Sequence, residues 1–130
     1  MINKLIKNPK KLNVLGNGEQ QKSYLHVSEL IEGMMYLSKK NLGKNCNPIF
    51  NLGPNENSVK VSWIAQQIVL KCSPKAEIFY EFKDRGWIGD IPKFSYNTKK
   101  AKSYGWSPKM NSEQAINLAI DQILEDLNYG

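Results

Sequence analysis

Gly16-Asn17-Gly18-Glu19-Gln20-Gln21-Lys22-Ser23-Tyr24-Leu25-His26-Val27 is the stretch on which the fold turns. Before it, Leu12–Leu15 is short and apolar and reads as a strand. The two glycines around Asn17 supply a turn, and Lys22–Val27 resumes a strand-like pattern, so the segment is expected to form a hairpin. The apolar spacing then switches to a helical period. Val27, Leu30, Ile31, Met34 and Met35 fall at i, i+3, i+4, i+7 and i+8, which predicts a helix with one core-facing stripe and Ser28 as its N-cap. A Gly-x-Gly after a strand also opens dinucleotide-binding loops. Here Gln21 stands at the third glycine position, and strand-like sequence follows in place of the helix that would hold a pyrophosphate.

Outward from this stretch, residues 2–8 read as a short helix ending before Pro9. Residues 41–48 are a polar loop. Ile49–Leu52 reads as a strand stopped by Gly53-Pro54. A second amphipathic helix is expected over Val61–Lys71, with Val61, Ile64, Ala65, Ile68 and Val69 on one face. Glu77–Phe82 is rich in aromatic and branched residues and reads as a strand. Residues 83–95 look irregular, and a short helix at about 97–103 ends at Gly105. The last helix opens with Asn111 as N-cap and Gln114 at N3, and buries Ala115, Ile116, Ala119, Ile120, Ile123, Leu124 and Leu127. Repeats and low-complexity linkers are absent. The sequence therefore predicts a single α/β domain over residues 1–130, with short strands and four or five helices.

The 130 residues suffice for one small core, and 41% hydrophobic with 23% charged residues is an ordinary globular mixture. No apolar run approaches the roughly 18–20 residues that span a bilayer. Charges interrupt the apolar residues of Met1-Ile2-Asn3-Lys4-Leu5-Ile6-Lys7, unlike a signal peptide. Cys46 and Cys72 cannot build a disulfide framework and are expected to be reduced, so a soluble cytoplasmic protein without a membrane partner is the expectation. A net charge of +6 invites a nucleic-acid reading. Yet 17 of the 18 basic residues are lysine and only Arg85 is arginine. Readers of bases and phosphates favour the planar two-pronged guanidinium, so a solvated lysine-rich surface is the better reading and no nucleic-acid partner is expected.

Two motifs mislead. Tyr36…Lys40 and Tyr96…Lys100 both fit Tyr-x-x-x-Lys, a spacing in which lysine lowers a tyrosine pKa. With 6 tyrosines in a lysine-rich chain, about one such match is expected by chance. Both tyrosines read as packing or surface residues. His26, the only histidine, lies beside a helix start without a second ligand at metal-like spacing, and reads as structural. No catalytic grouping is evident in the chain.

Taken in order, the Gly16–Val27 stretch, Phe50-Asn51-Leu52-Gly53, Arg85-Gly86-Trp87-Ile88-Gly89-Asp90 and Tyr104-Gly105-Trp106-Ser107-Pro108 resemble the C-terminal, substrate-binding part of the extended short-chain dehydrogenases/reductases. These are the NAD-dependent nucleotide-sugar epimerases and dehydratases. The resemblance covers nearly the whole chain. It implies that the family's N-terminal Rossmann domain, with its cofactor-binding glycine motif and catalytic half, lies before Met1, so the chain itself holds no NAD and no catalytic residue.

In that family an arginine after the Gly-x-Gly turn binds the diphosphate of the nucleotide sugar. Lys22 stands there, keeping the charge but losing the two-pronged geometry. Arg85 resembles the second phosphate-binding arginine before a Gly-Asp pair, the alternative being a local salt bridge with Asp84 or Asp90, and Asp90 is expected to anchor the loop. Asn13 and Leu15 match the strand that contacts a uracil-type base, Tyr24 lies near the phosphate site, and Phe94 matches a position lining the sugar pocket. The implied partners are a nucleotide sugar, foremost a UDP-hexose, and a missing or separate NAD-binding domain. A UDP-glucose 4-epimerase is the first expectation for the parent enzyme and a 4,6-dehydratase the second. The alternative is a free-standing nucleotide-sugar-binding or interaction module without catalysis. The resemblance further predicts exposed apolar surface, or a self-association contact, near the first helix and the 12–15 strand.

Overall fold

The computed structural model describes residues 1–40, 48–54, 57–81 and 95–127. In chain order the elements are α1 (Ile2–Lys7), β1 (Lys11–Val14), β2 (Gln21–Lys22), α2 (Val27–Ser38), β3 (Val59–Lys60), α3 (Val61–Cys72), β4 (Glu77–Tyr80), α4 (Lys99–Ser103) and α5 (Ser112–Asp126). The α/β class and the five helices agree with the sequence expectation.

The expected hairpin does not form. β1 pairs in parallel with β4, Asn13 opposite Phe79 and Val14 opposite Tyr80. β2 pairs antiparallel with β3, Lys22 opposite Val59. The Gly16–Gly18 turn therefore carries the chain from one small sheet to the other. Its geometry explains why. The Ser62 N–H donates to the Gly18 carbonyl at 2.9 Å and the Val61 N–H to the Gln20 carbonyl at 3.0 Å, so the turn docks on the start of α3. Gly16 and Gly18 adopt φ of 76° and 81°, the left-handed region that glycine enters without a Cβ penalty.

The main core lies between α1, α3, α5 and the inner face of the β1–β4 sheet. Leu5, Leu12 and Ala65 are its fully buried centre. Strand alternation sends Leu12 and Val14 inward and leaves Lys11 and Asn13 outside. α5 has the expected capping box, in which Asn111 Oδ1 accepts the Gln114 N–H at 2.9 Å and Gln114 Oε1 accepts the Asn111 N–H at 2.9 Å. Ala115, Ile120 and Leu124 of α5 are buried, whereas Ile123 and Leu127, expected inside, are exposed. Lys71 of α3 ties the two helices by pairing with Asp121.

A second, smaller core joins Leu37 of α2 to Ala101 and Trp106, with Leu25, Phe50 and Leu52 against it. Two further corrections lie here. The N-cap of α2 is His26, whose Nδ1 accepts the Ser28 N–H at 3.3 Å. And the expected inward stripe faces out: Val27, Ile31, Met34 and Met35 are 59, 56, 58 and 55% exposed, while Glu29, Gly33 and Leu37 are buried. The inward positions are claimed by tighter contacts. Glu29 Oε1 accepts the Lys109 and Met110 N–H groups at 2.5 and 3.1 Å, and Gly33 meets the Trp106 indole so closely that a Cβ would lie 2.5 Å from its ring.

The segment expected as a strand at Ile49–Leu52 has no ladder partner among the described residues and forms none. Strands need a neighbour for their backbone groups. Here the Ile49 carbonyl accepts Lys100 Nζ at 3.0 Å and Asn51 Nδ2 donates to the Asn97 carbonyl at 3.3 Å, and the Ile49 side chain is 82% exposed.

Candidate functional site

Four of the six site residues named from sequence lie among the described residues: Asn13, Leu15, Lys22 and Tyr24. Arg85 and Phe94, like Asp90 and Cys46, lie outside them. Asn13 sits on the outer face of β1, and its carbonyl accepts Lys4 Nζ at 2.9 Å. Leu15, one residue past the end of β1, is 56% exposed. Lys22 is half-buried in β2. Tyr24 packs part of its ring against the main core, and its N–H donates to Ser112 Oγ at 3.0 Å. Ser112, buried at the start of α5, donates in turn to the Asn57 carbonyl. The β2 side of the site is thus tied to α5.

The Gly16–Gly18 turn links the two parts. A Cβ on Gly18 would lie 2.6 Å from the Tyr80 ring and 3.1 Å from Ser62 Cβ, so the turn is wedged between β4 and α3. The Glu81 N–H donates to the Gly16 carbonyl at 3.1 Å, which anchors the end of β4. Lys60 pairs with Glu19 at 2.7 Å across an exposed edge. Burial, with Glu19 adding its negative charge, pushes the Tyr80 phenol above its ordinary value.

Sequence reading missed Phe79. It lies opposite Asn13 on the same exposed sheet face, is 43% exposed, and has Lys11 Nζ 4.1 Å from its ring centre. Strand alternation over 77–80 was the available signal.

The other sequence motifs take structural places. His26 is buried, with Nε2 3.0 Å from Gln122 Oε1 and Nδ1 2.7 Å from Ser28 Oγ. Lys40 Nζ lies 4.2 Å from the centre of the Tyr36 ring, and the Tyr36 hydroxyl is packed on Gly105. Tyr96 lies against Gly53. Among the described residues no group of three or more His, Cys, Asp or Glu side chains could hold a metal ion, and no helix is long and apolar enough to cross a membrane.

The start of α3, on which the Gly16–Gly18 turn docks, does not fit an NAD pyrophosphate. Such a group needs free N–H donors at a helix start beside a glycine turn. At α3 the Val61 and Ser62 N–H groups already donate to the Gln20 and Gly18 carbonyls.

No family model matches the sequence. The backbone superposes on a crystal structure of UDP-galactose 4-epimerase with a TM-score of 0.75 and 27% identity, covering 97% of this chain and 39% of that one. The chain corresponds to the C-terminal part of the extended short-chain dehydrogenase/reductase fold. The dTDP-glucose 4,6-dehydratase of Bacillus anthracis shares this epimerase/dehydratase fold, with a TM-score of 0.71 and 20% identity over 96% of this chain and 38% of that one. By sequence, UDP-glucuronic acid decarboxylase 2 of Arabidopsis thaliana is 31% identical over 109 residues, 84% of this chain. The chain spans only 23% of that relative's length.

Proposed function

We propose that this C-terminal epimerase/dehydratase part is the substrate-binding portion of an NAD-dependent nucleotide-sugar enzyme, foremost one of the UDP-glucose 4-epimerase type. Lys22 and Arg85 carry the diphosphate, Asn13 and Leu15 face the base, Tyr24 braces the phosphate side and Phe94 lines the sugar pocket. NAD, bound in a partner domain, supplies reversible hydride transfer, and the present chain is not catalytic alone. The carrying observation is the 27% identical superposition on UDP-galactose 4-epimerase across 97% of this chain.

The outward stripe of α2 supports the same reading. Helices normally bury such a stripe. Here Val27, Ile31, Met34 and Met35 stand exposed, while the opposite face of α2 packs through Leu37 into the second core with Phe50 and Leu52. A cofactor domain packed on this chain would cover that stripe.

Calorimetric titration of the purified chain with UDP-glucose and with UDP tests the proposal. Micromolar-to-millimolar binding that weakens in Lys22→Ala and Arg85→Ala, and with added salt, is the expected result. Equal affinity for wild type and both variants overturns the assignment of the diphosphate site.

A further inference from the structure

We propose that Phe79 is a stacking platform for the nucleobase of the ligand, an inference that rests on the nucleotide-sugar reading above. β1 and β4 run in parallel with Asn13 directly opposite Phe79, so the two side chains share one sheet face. On the opposite face Leu12 and Val14 are buried in the core. The outer face thus presents an amide, an aromatic ring and, one residue past β1, the exposed Leu15. An amide can meet the donor and acceptor edge of a base, and the ring and the leucine offer a flat apolar surface to its face.

The Lys11 ammonium lies 4.1 Å from the centre of the Phe79 ring, and Phe79 is 43% exposed. A base stacked on the ring takes the place of this ammonium, which is released toward solvent or a ligand phosphate. Lys4 Nζ donates to the Asn13 carbonyl at 2.9 Å, a bond to the backbone of β1 that leaves the Asn13 amide side chain available to the base. Glu77, exposed opposite Lys11 on this face, disfavours a bare anion there. That leaves the neutral base, and not the diphosphate, as the group suited to Phe79.

The test compares three ligands, UDP, uridine and inorganic pyrophosphate, on wild type, Phe79→Ala and Phe79→Trp. Phe79 is at the surface, so both variants are expected to keep the wild-type melting temperature within a few degrees. Phe79→Ala should weaken UDP and uridine about tenfold while leaving pyrophosphate unchanged, and Phe79→Trp should restore the lost affinity. In proton NMR the uracil H5 and H6 signals should move upfield on wild type through the ring current and not on Phe79→Ala. UDP affinity unchanged in Phe79→Ala overturns the platform, even where Lys22→Ala still weakens binding and the nucleotide-sugar reading stands. An equal loss for pyrophosphate also overturns it, as does the absence of any upfield shift. A wild-type chain that binds neither UDP nor uridine overturns both readings together.

Discussion

His26 shows how one side chain can settle a helix start. Its Nδ1 caps α2 through the Ser28 N–H and its Nε2 reaches Gln122 on α5, so it joins two elements that are far apart in sequence. Its structural role was read from its place beside a valine expected to face the core, although Val27 itself is exposed. The cap was not, since serine is the commoner cap and imidazole capping leaves no mark in sequence. His26→Ala removes the cap and the cross-link together and should lower stability by about 1–3 kcal/mol, read as a drop in the midpoint of urea unfolding. Gly33 was equally silent. A Cβ there would lie 2.5 Å from Trp106 Cε2, so Gly33→Ala, ordinarily helpful in a helix, should instead destabilise the fold by about 1–3 kcal/mol through overpacking. A higher melting temperature for Gly33→Ala would refute the packing described for the second core.

Tyr80 adds a pH dependence at the same scale. Burial first and Glu19 second raise its phenol pKa in the folded state. A raised folded pKa means that the stabilising contribution is complete below the unfolded value of about 10 and is lost as pH rises through the folded value. Stability should therefore fall above about pH 10, and Tyr80→Phe should flatten that fall. An identical pH profile for the variant, measured by thermal unfolding, would contradict the assignment.

At the scale of elements, periodicity placed α1, α2, α3 and α5 within a residue or two and named the capping box of α5. It could not say which side of α2 is covered. The apolar stripe was read correctly as a stripe and wrongly as buried, because the inward face is set by a Glu29 carboxylate on two backbone N–H groups and by an indole on Gly33. Ile49–Leu52 has a strand's sequence, yet a strand is a property of a pair, and no pairing neighbour is found among the described residues. The same reasoning explains the missing hairpin: turn glycines fix a change of direction, not the pairing partner. These readings give a direct expectation. Replacing Ile31 and Met34 by serine should leave the melting temperature of the chain within a few degrees of wild type, since surface changes mostly stay within about 0.5 kcal/mol. Leu12→Ala, at a fully buried site, should cost about 2–5 kcal/mol. Comparable losses at both places would mean that α2 is covered in solution, and sedimentation would then reveal a larger species.

For the whole molecule, the order of short motifs carried the family resemblance, and the superposition on UDP-galactose 4-epimerase agrees with it. Only half of the proposed site was legible. Asn13, Leu15, Lys22 and Tyr24 came from motif matching, whereas Phe79 depends on the parallel pairing of β1 with β4, which brings together residues more than sixty positions apart in the chain and has no local signature. The central claim is that a nucleotide sugar sits across the outer face of β1 and the start of β2. Backbone amide shifts of the labelled chain during titration with UDP-glucose test it most directly. Changes concentrated at Asn13–Tyr24 and Phe79, with α2 and α5 unmoved, are the predicted result, whereas changes confined to other elements, or none at millimolar ligand, would contradict it.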